Sequence, residues 1–105
     1  MNEKNLAHNV FITLKDVSDN AVEILLKDCY TYLKDLSGIV YFSAGYLVPE
    51  NNGDVNITDY HVGVHVVFSN KMYHDKYQVA EKHKIFIDRN KDNWTQIRVF
   101  DTYVS

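Results

Sequence analysis

Apolar and polar positions alternate with two different periods along this chain, and the switches between them mark out its elements. In residues 7–14, His8, Val10, Ile12 and Leu14 fall on one face while Ala7, Asn9, Phe11 and Thr13 fall on the other. A period of two predicts a strand. From Ala21 the period lengthens, with Ile24, Leu25, Cys29, Tyr32, Leu33 and Leu36 recurring at helical spacing behind Ser18, a residue suited to capping, until Ser37-Gly38 ends the pattern. That run predicts an amphipathic helix of about five turns. Ile39 to Val48 is rich in β-branched and aromatic residues and leads into the polar turn Pro49-Glu-Asn-Asn-Gly-Asp54, so a second strand and a loop are expected. Tyr60 to Phe68 alternates again, setting Val62, Val64, Val66 and Phe68 opposite His61, Gly63, His65 and Val67. This third strand is expected to pair antiparallel with the second. Ser69-Asn70 can cap a helical stretch running to about Asn90, with Met72, Tyr73, Lys76, Tyr77, Val79, Ala80, His83, Phe86 and Ile87 on its apolar side, and Trp94 to Val104 closes the chain as a fourth strand.

The order βαββαβ implies an α+β, ferredoxin-like fold: a four-stranded antiparallel sheet with helices on one face. A single domain spanning residues 1–105, with its core over about 7–104, is expected, since no repeat, linker or low-complexity tract interrupts the pattern. The second face of such a sheet has no helix to cover it, yet strands two and three carry large apolar residues on both faces. Two chains packing sheet to sheet would bury them, so a homodimer through the sheet face is expected.

Composition narrows the class of protein. At 105 residues, 46% of them apolar and only one of them Pro, the chain can build one core and lies far from a disordered composition. A net charge of -3 with Lys and Arg scattered among acids leaves no basic stripe for phosphates, so no nucleic-acid partner is expected. No apolar run is long enough to span a bilayer and the start MNEKNLAHN lacks the features of a leader, so a soluble, cytoplasmic protein is expected. Cys29 has no second cysteine in the chain and sits among Ile24, Leu25, Tyr32 and Leu33, the setting of an inert core thiol.

Several segments together resemble a known family. The opening strand His8-Asn-Val-Phe-Ile-Thr-Leu-Lys15, Gly45 near the end of strand two, and Tyr77-Gln-Val-Ala-Glu-Lys-His83-Lys-Ile-Phe86 followed by Val99-Phe100-Asp101 are similar to the stress-responsive dimeric α/β-barrel domains (Dabb), from about residue 7 to the end. The resemblance implies a small homodimer whose sheets close into a barrel. One plant member is a polyketide cyclase needing neither metal nor cofactor, and by its likeness the site residues here are His83 as general base, Tyr77 as its partner and His8 assisting. Substrate-lining roles pass in the same way to Tyr30, Leu26 and Trp94, with a small aromatic or polyketide-like ligand and no cofactor. Two positions depart from the family pattern. Ala80-Glu81 stands where His-Pro is usual, and Lys27 stands where the cyclase has an aromatic residue. In an unbroken helix, residues six apart differ by about 120° in direction and about 9 Å along the axis, so Tyr77 and His83 converge only if packing bends the segment.

The residue chemistry suits that reading without requiring it. A neutral imidazole titrates near working pH, and a tyrosine hydroxyl can hydrogen-bond a carbonyl oxygen as an enolate forms. Equally, an inward-facing His83 and a packed Tyr77 serve as core residues. His61 and His65 face one way along a strand but stand about 13 Å apart, too far to share a metal ion. His74 is expected on a solvated helix face. Three readings therefore remain open: a small-molecule-binding protein with acid–base chemistry, a non-enzymatic oligomeric protein, and a haem- or metal-handling barrel.

Overall fold

The computed structural model describes residues 4–105. Its elements run β1 (Asn5–Leu14), α1 (Asp19–Tyr32), β2 (Ile39–Tyr46), β3 (Val62–Phe68), α2 (Lys71–Val79), α3 (Glu81–Asn90), a single 3-10 turn (Lys91–Asn93) and β4 (Trp94–Val104). All strand pairings are antiparallel and the sheet order is β2-β3-β1-β4, so the two edge strands flank a central β3-β1 pair. The expected ferredoxin-like α+β arrangement is the one observed. Ser18 caps α1 as its spacing predicts, its hydroxyl accepting from the Ala21 amide at 3.2 Å. The helix stops at Tyr32, one turn earlier than the apolar spacing through Leu36 suggests.

One face of the sheet meets the helices. Leu6, His8, Ile12 and Leu14 of β1 and Val62, Val64, Val66 and Phe68 of β3 are buried there, against Leu25 and Cys29 of α1, Leu33 at its end, and Tyr77 and Phe86 beyond it. Cys29 is wholly buried and its thiol is pushed up to about 12, first by burial and then by the neighbouring Asp28 charge, which fits the inert core thiol expected. Asp28, itself buried, accepts from Arg89 Nε at 2.9 Å and from Asn90 Nδ2 at 3.0 Å, pinning α1 to the end of α3. The other face carries Ala7, Phe11, Tyr41, Val67 and Phe100 among polar Asn9, Ser43, His65 and Arg98. Tyr41 and Phe100 are each more than half exposed on it.

The helical stretch expected from Ser69-Asn70 to about Asn90 is instead two helices, and Met72, Lys76 and Val79, expected on its apolar side, are exposed. Ala80 adopts an extended backbone (φ -65°, ψ 144°) and serves as both the end of α2 and the start of α3. Its amide still reaches Tyr77 O at 3.2 Å and its carbonyl takes the Lys84 amide at 3.1 Å, so the break leaves those groups bonded. The cause is tertiary. Tyr77 and Phe86 are both buried against the sheet, yet nine residues of unbroken helix would turn them about 180° apart. One extended residue resets the phase so that both face the core, and no proline is needed.

Gly38, at the turn from α1 to β2, has φ 82°, and a Cβ built there would lie 2.0 Å from Tyr73 Cγ. Its carbonyl also accepts from the Ser69 amide at 2.9 Å, tying the turn to the start of α2. Gly38→Ala is expected to lose roughly 2–4 kcal/mol in a urea melt, from left-handed backbone strain plus overpacking against Tyr73. A loss within about 0.5 kcal/mol would show that the turn can relax away from this conformation.

Candidate functional site

A cavity of about 200 Å³ lies between the sheet and the α2–α3 segment, lined by His8, Val10 and Ile12 of β1, Val64 of β3, Tyr77 and Gln78 of α2, His83, Phe86 and Ile87 of α3, and Trp94, Ile97 and Val99 of β4, with Leu33. Its wall is mostly apolar, with polar groups converging from three elements, the usual make-up of a small-molecule site, though smaller than the roughly 300–1,000 Å³ of drug-sized pockets. The break at Ala80 creates the convergence. It folds α3 back so that the Tyr77 and His83 rings meet edge to face at 4.8 Å, where a straight helix would hold them apart. The His8 ring lies 5.8 Å from Tyr77, also edge to face, so Tyr77 touches both histidines and links them in a row His8, Tyr77, His83.

Burial shifts every member of that row away from its ordinary value. Burial first, and then the charge of nearby His8, hold His83 below the ordinary histidine value, so its ring is neutral at neutral pH. His83 Nδ1 is buried and without a hydrogen-bond partner, and so is Trp94 Nε1, two of the three such side-chain atoms among the described residues. Buried polar atoms are normally bonded, so two unpaired ones on residues lining a single cavity set this place apart from the rest of the core. Burial also drives the Tyr77 hydroxyl far above its usual range, which makes it a hydrogen-bond donor and never a base here. His8 is 3% exposed and its Nδ1 lies 2.5 Å from Asp101 Oδ1, directly across the β1-β4 ladder. Burial outweighs that carboxylate, so His8 too sits below its ordinary value, with His74 contributing in the same direction.

Of the six residues singled out from the sequence, His8, Tyr77, His83 and Trp94 share the cavity, while Tyr30 and Leu26 do not. They lie in an open groove between α1 and β2 together with Lys27 and Ala44. The Tyr30 hydroxyl is spent on the β2 backbone, accepting from the Ala44 amide at 3.1 Å and donating to its carbonyl at 3.4 Å, and its ring packs on Phe42. Two further residues stand beside the cavity row that sequence spacing did not nominate. Asp101 pairs with His8 only because β1 and β4 are neighbours in this register, and His74 lies against His8 and Phe68 with its side chain 14% exposed, not on the solvated face expected of it. The alternation of β4 places Asp101 on the His8 face, a signal readable once the strand pairing is known. His61 and His65 are used separately, His61 Nδ1 accepting the Leu14 amide at 3.0 Å and His65 Nδ1 lying 2.8 Å from Asn9 Oδ1.

Fold and cavity together define an α+β protein of the ferredoxin-like class with an apolar pocket between its helices and its sheet. The chain belongs to the family of the Stress responsive A/B Barrel Domain, Dabb, which matches residues 6–104. No curated protein matches the sequence significantly. Among solved structures, it is similar to a Dabb family protein with a ferredoxin-like fold from Mesorhizobium loti (21% identity, 98% of this chain and 99% of that one, TM-score 0.81). A dimeric ferredoxin-like protein of unknown function from Thermobifida fusca aligns at 11% identity over 99% of this chain and 94% of its own, with a TM-score of 0.81. The hydroxynitrile lyase of Passiflora edulis aligns at 13% identity over 99% and 96%, with a TM-score of 0.77. At these identities the likeness is one of fold. Among the described residues no helix is long and apolar enough to cross a membrane.

The lowered position of His83 has a consequence for stability. The groups facing it across the cavity that can titrate are His8 and Tyr77, and Tyr77 stays protonated throughout. Because the unfolded chain takes up the His83 proton more readily than the folded one, stability is full above the ordinary value of 6.5 and falls as the pH drops below it. Denaturant stability measured from about pH 7 to about pH 5 is expected to decline more steeply in the natural chain than in His83→Gln. Parallel profiles would show that His83 titrates alike in both states.

Proposed function

We propose that this chain is a homodimeric small-molecule-binding protein whose cavity performs cofactor-independent acid–base chemistry, with His83 as general base, Tyr77 as hydrogen-bond donor and His8 assisting. The observation that carries this reading is the pair of buried, unpartnered atoms, His83 Nδ1 and Trp94 Nε1, in one apolar cavity beside Tyr77. A neutral His83 removes a proton next to a carbonyl group, and the Tyr77 hydroxyl donates to the carbonyl oxygen as negative charge develops on it. The protonated His83 then returns the proton at a later step. Asp101 holds the His8 ring by its Nδ1, fixing the tautomer that faces the cavity. A volume of about 200 Å³ suits a substrate about the size of a single aromatic ring, with any longer chain running out of the mouth. That one protein of this fold is a hydroxynitrile lyase supports the scaffold as a host for lyase chemistry.

The homodimer rests on the open sheet face. Phe11, Tyr41, Val67 and Phe100 lie there with no helix over them, and several proteins of the same fold are described as dimeric. Burying that face against a second copy would withdraw its aromatic side chains from water, roughly 1.5–3 kcal/mol for each large side chain fully covered. A cytoplasmic location is proposed with it, on the single unpaired cysteine.

Trp94, the sole tryptophan, is a built-in reporter of cavity occupancy. Titration with a panel of aromatic and β-polyketone compounds is expected to change its fluorescence, and His83→Ala is expected to lower turnover of an active compound by about 10²–10⁴-fold. Equal turnover in both proteins, or no binding by either, removes the acid–base assignment. Sedimentation of the natural chain at micromolar concentration is expected to give a dimer, and Phe100→Arg a monomer that keeps its circular dichroism. A well-ordered monomer of the natural chain would overturn the assembly.

A further inference from the structure

We propose that His8, His74 and Asp101 form a binding site for a divalent first-row transition ion of the zinc type at the mouth of the cavity. One ligand atom from each of the three residues lies within 4.8 Å of the other two. They come from three elements: His8 from β1, Asp101 from the paired position on β4, and His74 from α2 packed above them, the two imidazole rings 5.0 Å apart. His74 Nε2 stands 3.9 Å from Asp101 Oδ2, and His8 Nδ1 is hydrogen-bonded to the other carboxylate oxygen, so an ion entering here displaces the proton of that bond. Zinc bonds of about 2.0–2.1 Å set ligand atoms roughly 3.3 Å from one another, so shifts of about 1 Å bring all three into range. Asp101, the most exposed of the three at 42%, has room to make them.

The surroundings of His74 supply a second, independent argument. Asp75 Oδ1 lies 3.0 Å from His74 Nδ1, and a carboxylate there requires the ring proton on Nδ1. Nε2 is then an acceptor, engaged by the Gln78 amide at 3.2 Å and standing 3.9 Å from Asp101 Oδ2, so an ion ligated there takes the place of Gln78. A carboxylate behind a ligating histidine is a recurring support of metal sites, and Lys71 in turn fixes Asp75 at 2.9 Å. Two imidazoles and one carboxylate suit zinc, cobalt or iron(II), and offer too few oxygens for calcium or magnesium. Three protein ligands also leave a coordination position open beside the cavity that His8 lines. The residues lie 66 and 27 positions apart in the chain, so no short motif announces the site.

The site goes beyond the acid–base reading, and its test uses no substrate. The untagged, chelator-stripped full-length chain is titrated with Zn(II) against a chromophoric chelator and with Co(II) followed in the visible range. The expected result is one ion per chain with micromolar or tighter affinity, and a Co(II) spectrum with the intensity of four- or five-fold coordination. His74→Ala and the near-isosteric Asp101→Asn are each expected to weaken binding at least tenfold. Asp75→Asn, which touches no ion, is expected to weaken it by about 10–100-fold, whereas His83→Gln leaves it unchanged. If Zn(II) binds no tighter to the natural chain than to His74→Ala, or if Co(II) keeps the pale spectrum of the hydrated ion, the site does not exist. A proton shared between His74 and Asp101 would give that second outcome. Because His83→Gln abolishes the proposed base but spares the ion, failure of one assignment is separable from failure of the other.

Discussion

Burying Tyr77 and Phe86 on the same face of the sheet is the constraint on which the rest of this structure depends. Nine residues of ideal helix would send them in opposite directions, so the chain gives up one residue of helix at Ala80 to turn both inward. Burying two aromatic side chains is worth several kcal/mol, more than the helical propensity of a single alanine and the loss of one or two ladder bonds. The cavity is a by-product of that exchange. Where α3 folds back, His83 comes under Tyr77, and Trp94 closes the wall from the first position of β4.

Polar groups concentrate at this one place in an otherwise apolar layer. His8 replaces an aliphatic residue in a strand whose alternate positions, Leu6, Val10, Ile12 and Leu14, all face the helices. Its burial is tolerable because Asp101 stands opposite it across the ladder, and Asp101 reaches solvent on its other side. The row from Asp101 through His8 and Tyr77 to His83 therefore runs from the surface to a mostly apolar cavity. Burial holds both histidines below their ordinary value and lifts the Tyr77 hydroxyl well above its own. His74 joins the outer end of this row from α2.

The same packing logic accounts for the residues that stay out of the pocket. Tyr30 points away because α1 meets β2 through it, and its hydroxyl completes the bonding of Ala44 on an edge strand that has no neighbour on that side. Asp28 is an acid buried for architecture, holding Arg89 and Asn90 and thereby the end of α3 that carries Phe86 into place. Cys29 next to it is shielded and unreactive for the same reason.

Period and capping alone determined the four strands, the first helix start at Ser18, the ferredoxin-like order and the identity of the helix-facing set, because these follow from interactions between residues a few positions apart. The family resemblance added His8, Tyr77, His83 and Trp94, and the cavity gathers all four. What only the tertiary structure decided are the features set by competition between distant groups. The break at Ala80 has no local signal, since neither proline nor glycine stands there and the demand comes from Tyr77 and Phe86 against β1 and β3. The partnership of His8 with Asp101 and His74 depends on strand register and on where α2 lands, and the exclusion of Tyr30 and Leu26 on which side of α1 meets β2. Local sequence fixes how each segment pairs with itself, whereas the phase between segments is set only when all of them bury their apolar faces at once.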